Sequence, residues 1–184
     1  MDKNKLQESL NVLGLDPGSR VTGYGVVEMS DPVKPRYREC GVIRISGDLL
    51  LEKRLLEIAD GVRELIKEFK PICVAVEDVF VQRNVRSALK LGHVRGALLL
   101  TAAEKGLVVH SYSPAVVKKT VTGRGRASKA QIQRMVQVLM GLERTPASDA
   151  SDALAVALCH VRHAWRDVVR TPGNVLRGRH RKGR

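Results

Sequence analysis

Four acidic positions stand where this chain otherwise places apolar residues or turns. Asp16 closes the apolar run "NVLGL" ahead of Pro17 and Gly18, and Glu77 with its neighbour Asp78 closes the apolar run "ICVAV". Asp149 and Asp152 stand three apart at the start of the last apolar-striped segment. On a helix that spacing puts two side chains about 60° apart, on one margin of the stripe. Each acid has an ordinary use. Asp-Pro-Gly is good turn chemistry, a strand-end acid is readily solvated, and Ser148 or Asp149 suits a helix cap with Asp152 in a first turn that the macrodipole favours. Together, in a chain with a basic surface, they point to something else. Carboxylates gathered near DNA phosphates repel the ligand unless a divalent cation reverses the sign, and carboxylate oxygens are the hard ligands that Mg²⁺ or Mn²⁺ takes. Two such ions about 4 Å apart activate a water and stabilise the leaving oxygen in phosphodiester hydrolysis. Acids at element ends within basic surroundings therefore suggest a metal-dependent nuclease.

The charge distribution supports a polyanionic partner. The 184 residues carry a formal net charge of +13, and it is unevenly placed. From Val79 to Leu142 there are 11 Lys and Arg against the single acid Glu104, whereas Met1 to Asp78 has 12 against 14. Such segregation favours a nucleic-acid face over a merely solvated basic surface. Cys40, Cys73 and Cys159 lack CxxC spacing and sit in apolar stretches, which suggests buried thiols in a reducing compartment and argues against zinc. The sequence shows no signal-peptide pattern and no apolar run of membrane-spanning length, so a cytoplasmic protein is expected. With 43% hydrophobic and 3% aromatic residues, the core must be aliphatic. One domain over residues 1–170 is expected, followed by a basic disordered tail over 171–184.

The elements that must hold these acids are legible as periodicities. "NVLGL", "TGYGVVEM" and "YRECGVIRIS" read as strands joined by turn residues. Leu51, Leu55, Ile58, Val62, Leu65, Ile66 and Phe69 recur at helical steps, and Pro71 ends that helix. "ICVAVE" and "LVVHSY" read as buried strands on either side of a helix over 86–105. Within that helix Gly92 and Gly96 suggest close approach by another element. Ser113 and Pro114 suit the cap and first turn of a short helix, followed by helices over 130–140 and from Ser148. This order predicts an α/β fold with a mixed sheet and helices packed on it. His160 and His163 form an HxxH pair with no third ligand nearby in sequence, a pattern expected for packing or surface, and there is no phosphate-binding P-loop motif.

Five ordered blocks then resemble a known family. "LGLDPGSRVTGYGVV", "VAVEDVF", "NVRSALKLGHVRGAL", "VKKTVTGRGRASKAQIQRMV" and "ASDASDALAVALCH" are similar to the RuvC family of Holliday-junction resolvases, from about Asn11 to Arg162. The resemblance implies an RNase H-like fold of the retroviral integrase superfamily, with a mixed five-stranded sheet flanked by helices. It implies a homodimer that nicks four-way DNA junctions symmetrically with two Mg²⁺ or Mn²⁺ ions per active site, working with the RuvA and RuvB branch-migration proteins. By resemblance Asp16, Glu77, Asp149 and Asp152 are the catalytic metal-binding acids, which selects Glu77 over Asp78, and Lys118 and Lys129 are basic catalytic positions near the cleaved strand. Phe80 is implied to stack on an unpaired base at the junction centre. Arg83 and Arg86 are further expected DNA contacts, Lys119, Arg124, Arg126 and Arg134 are expected either as DNA-backbone contacts or as a plain solvated face, and the helix from Arg86 is implied in the dimer contact. Two other readings remain at this stage. The first block also resembles the phosphate-contacting hairpin of actin-like and sugar-kinase ATPases, and the basic face alone would suit a junction-binding protein without chemistry.

Overall fold

Alternation and apolar runs resolve into five strands and five helices in a computed structural model that describes residues 10–29, 35–78 and 85–170. Phe80, Arg83 and the tail over 171–184 lie outside the described residues. The strands are β1 (Asn11–Asp16), β2 (Val21–Glu28), β3 (Arg36–Arg44), β4 (Cys73–Glu77) and β5 (Val108–Tyr112). The helices are α1 (Leu51–Phe69), α2 (Val85–Glu104), α3 (Pro114–Thr122), α4 (Lys129–Met140) and α5 (Ser148–Arg170). In the sheet the order is β3-β2-β1-β4-β5, with β1 antiparallel to β2 and parallel to β4. The short turn after β1 returns the chain alongside itself, and β3 pairs antiparallel with β2. The parallel crossovers to β4 and β5 instead need α1 and α2.

Strand alternation divides the core into two layers. Val12, Cys73 and Ala75 face α5 and pack with Leu154, Leu158 and the α3–α4 residues Val117, Val121, Ile132 and Val136. Leu13, Leu15, Val74 and Val76 face the other way, onto Ile58, Val62 and Leu65 of α1 and Val94 and Leu98 of α2. Burying each Leu or Ile side chain contributes about 2 kcal/mol, so the central strands, apolar on both faces, anchor the sheet.

Helix ends follow local chemistry with one departure, at α5. Ser128 and Gln131 close a reciprocal capping box on α4, and Lys70 stops α1 in a left-handed conformation (φ 45°) just before Pro71. Ser113 holds the cap position of α3 without a capping side-chain bond, Pro114 following it at the first turn. At α5 the first helical bond runs from the Ser151 N–H to the Ala147 carbonyl, so neither Ser148 nor Asp149 is the cap. Within the chain no other element approaches Gly92 or Gly96, since a Cβ at either would meet nothing within 4 Å, which leaves the partner of a dimer as the element they could admit. They lie on an exposed face of α2 with Leu89 and Leu100. No helix among the described residues is long and apolar enough to cross a membrane.

Candidate active site

Parallel pairing places the site. Leu15 pairs with Val76, so the next residues, Asp16 and Glu77, end adjacent strands at the same edge of the sheet. Alternation turns both toward α5, the face that Val12, Cys73 and Ala75 share. Asp78, one residue on, is instead tied to Arg95 of α2 at 2.9 Å, and Arg95 also reaches the Ser111 hydroxyl at 2.6 Å. Asp78 therefore braces the strand end rather than sharing the face of Glu77.

Helix α5 brings the other two acids. Its approach depends on glycines in β1 and β2 that the sequence reading did not single out. A Cβ at Gly14 would run into the Ala153 carbonyl oxygen and lie 2.8 Å from the Ala157 nitrogen. At Gly23, the residue paired with Asp16, a Cβ would run into the Asp149 carbonyl. Glycine thus lets the helix backbone lie directly on the sheet. The available signal was the alternation of Gly14, Gly23 and Gly25 inside otherwise apolar strands.

The result is a carboxylate cluster. Oxygen atoms of Asp16, Asp149 and Asp152 lie within 4.8 Å of one another. Glu77 is outside that trio and lines a cleft of about 200 Å³ with Asp152, Lys118 and Lys129, walled by Pro114, Val117, Ile132 and Ala155. Burial and the charges of Asp152, Glu77 and Asp149 raise the Asp16 carboxyl to about 7. Burial and Asp152 raise Glu77 to about 6, against the opposing pull of Lys118 and Lys129. Asp152 is also raised by burial, although the Lys129 ammonium lies 3.1 Å from its carboxylate and opposes the shift. Burial pulls Lys129 down, but its hydrogen bond to Asp152 and the charges of Asp152, Asp149 and Asp16 outweigh that and hold it above the ordinary lysine value. Such converging oxygens, short of positive charge, fit hard divalent cations and suit thiophilic metals poorly.

The remaining basic candidates that the structure describes are distributed over α2, α3, α4 and the α3–α4 connection. Lys119 is exposed on α3, and Arg126 is exposed in the connection to α4. Arg124 and Arg134 line a second groove with Gln131 and Thr122. Arg86 is exposed at the start of α2.

The layered sheet with acids converging under α5 defines an RNase H-like nuclease architecture. Residues 12–160 match the family described as crossover junction endodeoxyribonuclease RuvC, and the chain belongs to that family. It is 50% identical over 152 residues to the crossover junction endodeoxyribonuclease RuvC of Halorhodospira halophila, covering 83% of this chain and 90% of the relative. It is 48% identical over 174 residues to that of Marinobacter nauticus, covering 93% and 98%. Among solved structures, Thermus thermophilus RuvC in complex with a Holliday junction substrate superimposes with TM-score 0.81 at 36% identity, over 86% of this chain and 96% of that one. The yeast mitochondrial Holliday junction resolvase, 17% identical with TM-score 0.63, shares the fold over 89% of this chain and 84% of its own. Membership of an endodeoxyribonuclease family displaces both the ATPase and the non-catalytic readings.

Proposed function

We propose that the protein resolves four-way DNA junctions by nicking two opposed strands symmetrically, in recombination and repair, with Asp16, Glu77, Asp149 and Asp152 as the catalytic acids. The observation that carries this reading is the convergence of three of these carboxylates within 4.8 Å, beside basic side chains, in a chain of the RuvC family. Mg²⁺ or Mn²⁺, two per site, would be held by the four acids; when bound, such ions supply the charge that draws in the scissile phosphate and make the attacking water easier to deprotonate.

The chain's own groups do the rest. The acids fix where that charge sits and exclude competing ligands by their number. Lys118 and Lys129, which line the cleft, neutralise the strand and the charge that grows on the phosphate during attack. Lys119, Arg124, Arg126 and Arg134 hold the backbone, and Arg86 contacts DNA near the junction centre. Phe80 and Arg83 are assigned to the junction centre on the family resemblance alone, Phe80 stacking on an unpaired base. A homodimer through the exposed α2 face of Leu89, Gly92, Gly96 and Leu100 sets two sites about a two-fold axis, matching the symmetry of opposed junction strands. Work with the RuvA and RuvB branch-migration proteins in the cytoplasm completes the reading.

The test is cleavage of a synthetic four-way junction with and without Mg²⁺ or Mn²⁺, beside an Asp149→Asn variant. Paired symmetric nicks that require metal are expected, with at least a 100-fold loss in a variant that still binds the junction. Failure of the wild type to nick with either ion overturns the function, and undiminished nicking by the variant overturns the site.

A further inference from the structure

A second group of ligand-type side chains lies on the same face of the sheet, away from the acids. Cys73 begins β4, His110 sits in β5 opposite Ala75 in the register, and His160 comes from α5. One ligand atom from each of the three lies within 4.8 Å of the others. The Cys73 Sγ is 3.2 Å from His160 Nε2, and the His110 and His160 ring centroids are 4.2 Å apart. Cys73 and His160 are only 5% and 6% exposed, while His110 is half-buried and gives the group an edge toward solvent.

The orientation of His160 is set from behind. Its Nδ1 lies 2.8 Å from the Tyr112 hydroxyl. With Nδ1–H donating to that oxygen, the Nε2 lone pair points at the Cys73 sulfur, which is the outer-shell arrangement that orients metal-binding imidazoles. A thiol–imidazole hydrogen bond would satisfy Cys73 and His160 by themselves. The third ligand atom brought to the same point by another strand makes the group a potential chelate.

We propose that Cys73, His110 and His160 form a binding site for a borderline-soft transition cation, Zn²⁺ above all, with one thiolate, two imidazoles and a water completing a tetrahedron. Ligand type separates this site from the acid cleft, since a thiolate with imidazoles selects zinc and not Mg²⁺ or Mn²⁺. The Cys73–His160 pair already has the spacing of a ligand edge, and small side-chain rotations bring in His110. Burial pushes the Cys73 thiol up to about 12, and burial with the neighbouring His110 and His163 charges pulls His160 down to about 4, so without a cation both groups are neutral. Ion binding therefore forms metal–sulfur and metal–nitrogen bonds, and the thiol proton is released to solvent, which strengthens affinity as pH rises. The bound ion would link β4 and β5 to α5, elements that also carry Glu77, Asp149 and Asp152.

The experiment titrates metal-stripped full-length protein with Co²⁺, then Zn²⁺, in excess Mg²⁺, reading absorbance, metal stoichiometry and thermal melting. A near-ultraviolet thiolate-to-cobalt band that saturates at one equivalent and is displaced by Zn²⁺ is expected, with a higher melting temperature. Cys73→Ser should abolish the band and Cys40→Ser should keep it. His110→Gln, at the half-buried position, should weaken zinc binding by about 10-fold or more in a folded protein. Absence of the band in the wild type overturns the site, as does a band that survives Cys73→Ser. Zinc uptake lost in Asp16→Asn but kept in Cys73→Ser would place the ion at the acids and overturn it equally. None of these readouts depends on junction cleavage.

Discussion

Asp16 is held against its own charge. Its carboxyl is raised from 3.8 to about 7 and that of Glu77 from 4.5 to about 6, first by burial and then by the neighbouring acids. The folded state thus binds these protons more tightly than the unfolded chain. Their contribution to stability is fully present below about pH 4 and is lost as pH rises through about 6 to 7. Metal-free protein should therefore melt at progressively lower temperature from pH 4 to pH 8, apart from general acid effects at the low end. Asp16→Asn should be more stable than the wild type at pH 8, by on the order of 2–4 kcal/mol, and Mg²⁺ should narrow the difference. Equal stability of the two metal-free proteins at pH 8 would contradict the repulsive cluster. Lys129 is the counterweight, 3.1 Å from Asp152. Lys129→Gln should slow junction cleavage by about 10- to 1000-fold with little change in junction affinity, measured as single-turnover rate against equilibrium binding. An equal loss in both would make Lys129 a binding contact only.

At the scale of elements, the decisive contact is α5 lying on β1 and β2. The Ala153 carbonyl approaches Gly14 and the Asp149 carbonyl approaches Gly23 where no Cβ could fit. Gly23→Ala should push the start of α5 away from Asp16, costing about 1–3 kcal/mol of stability. Cleavage should fall about 100-fold, because a displacement of about 1 Å at the reacting groups is enough to do so. Calorimetry and cleavage rate separate the two effects, and a folded Gly23→Ala protein cutting at the wild-type rate would show that this close approach does not place the acids. On the opposite layer, α2 leaves Leu89 and Leu100 about 60% exposed beside two glycines. Leu89→Glu with Leu100→Glu should convert the proposed dimer to a monomer by sedimentation while thermal stability of the single subunit is kept; a variant that sediments like the wild type would remove this face as the interface.

Over the whole molecule, basic residues concentrate between Val79 and Leu142, a stretch that supplies α2, β5, α3 and α4, and two of them, Lys118 and Lys129, line the acid cleft. Acids and lysines that line one cleft suit a polyanion whose phosphates meet both cation-binding carboxylates and basic side chains. Junction binding should weaken steeply with salt. Replacing Arg124 and Arg134 with Gln should reduce the slope of log affinity against log salt by about 2 and leave the cleavage rate of bound junction nearly unchanged. An unaltered slope would remove both from the DNA path.

The element order, the helix and strand extents, the basic central segment and the acids at element ends were all legible in the chain, because periodicity and end chemistry are local properties. The choice of Glu77 over Asp78 rested on resemblance; in the structure Glu77 lies on the α5 face of the sheet while Asp78 pairs with Arg95. Other features have no local signal. Ala147 takes the cap of α5 in place of Ser148 or Asp149. Cysteine spacing argued against zinc, yet Cys73, His110 and His160 meet from two strands and a helix. The sequence by itself determined which residues are apolar, acidic or basic at each step along the chain, and hence the elements. Only the tertiary structure decided which of them come within a few ångströms, because strand pairing and the seating of α5 on glycine join residues far apart in the chain.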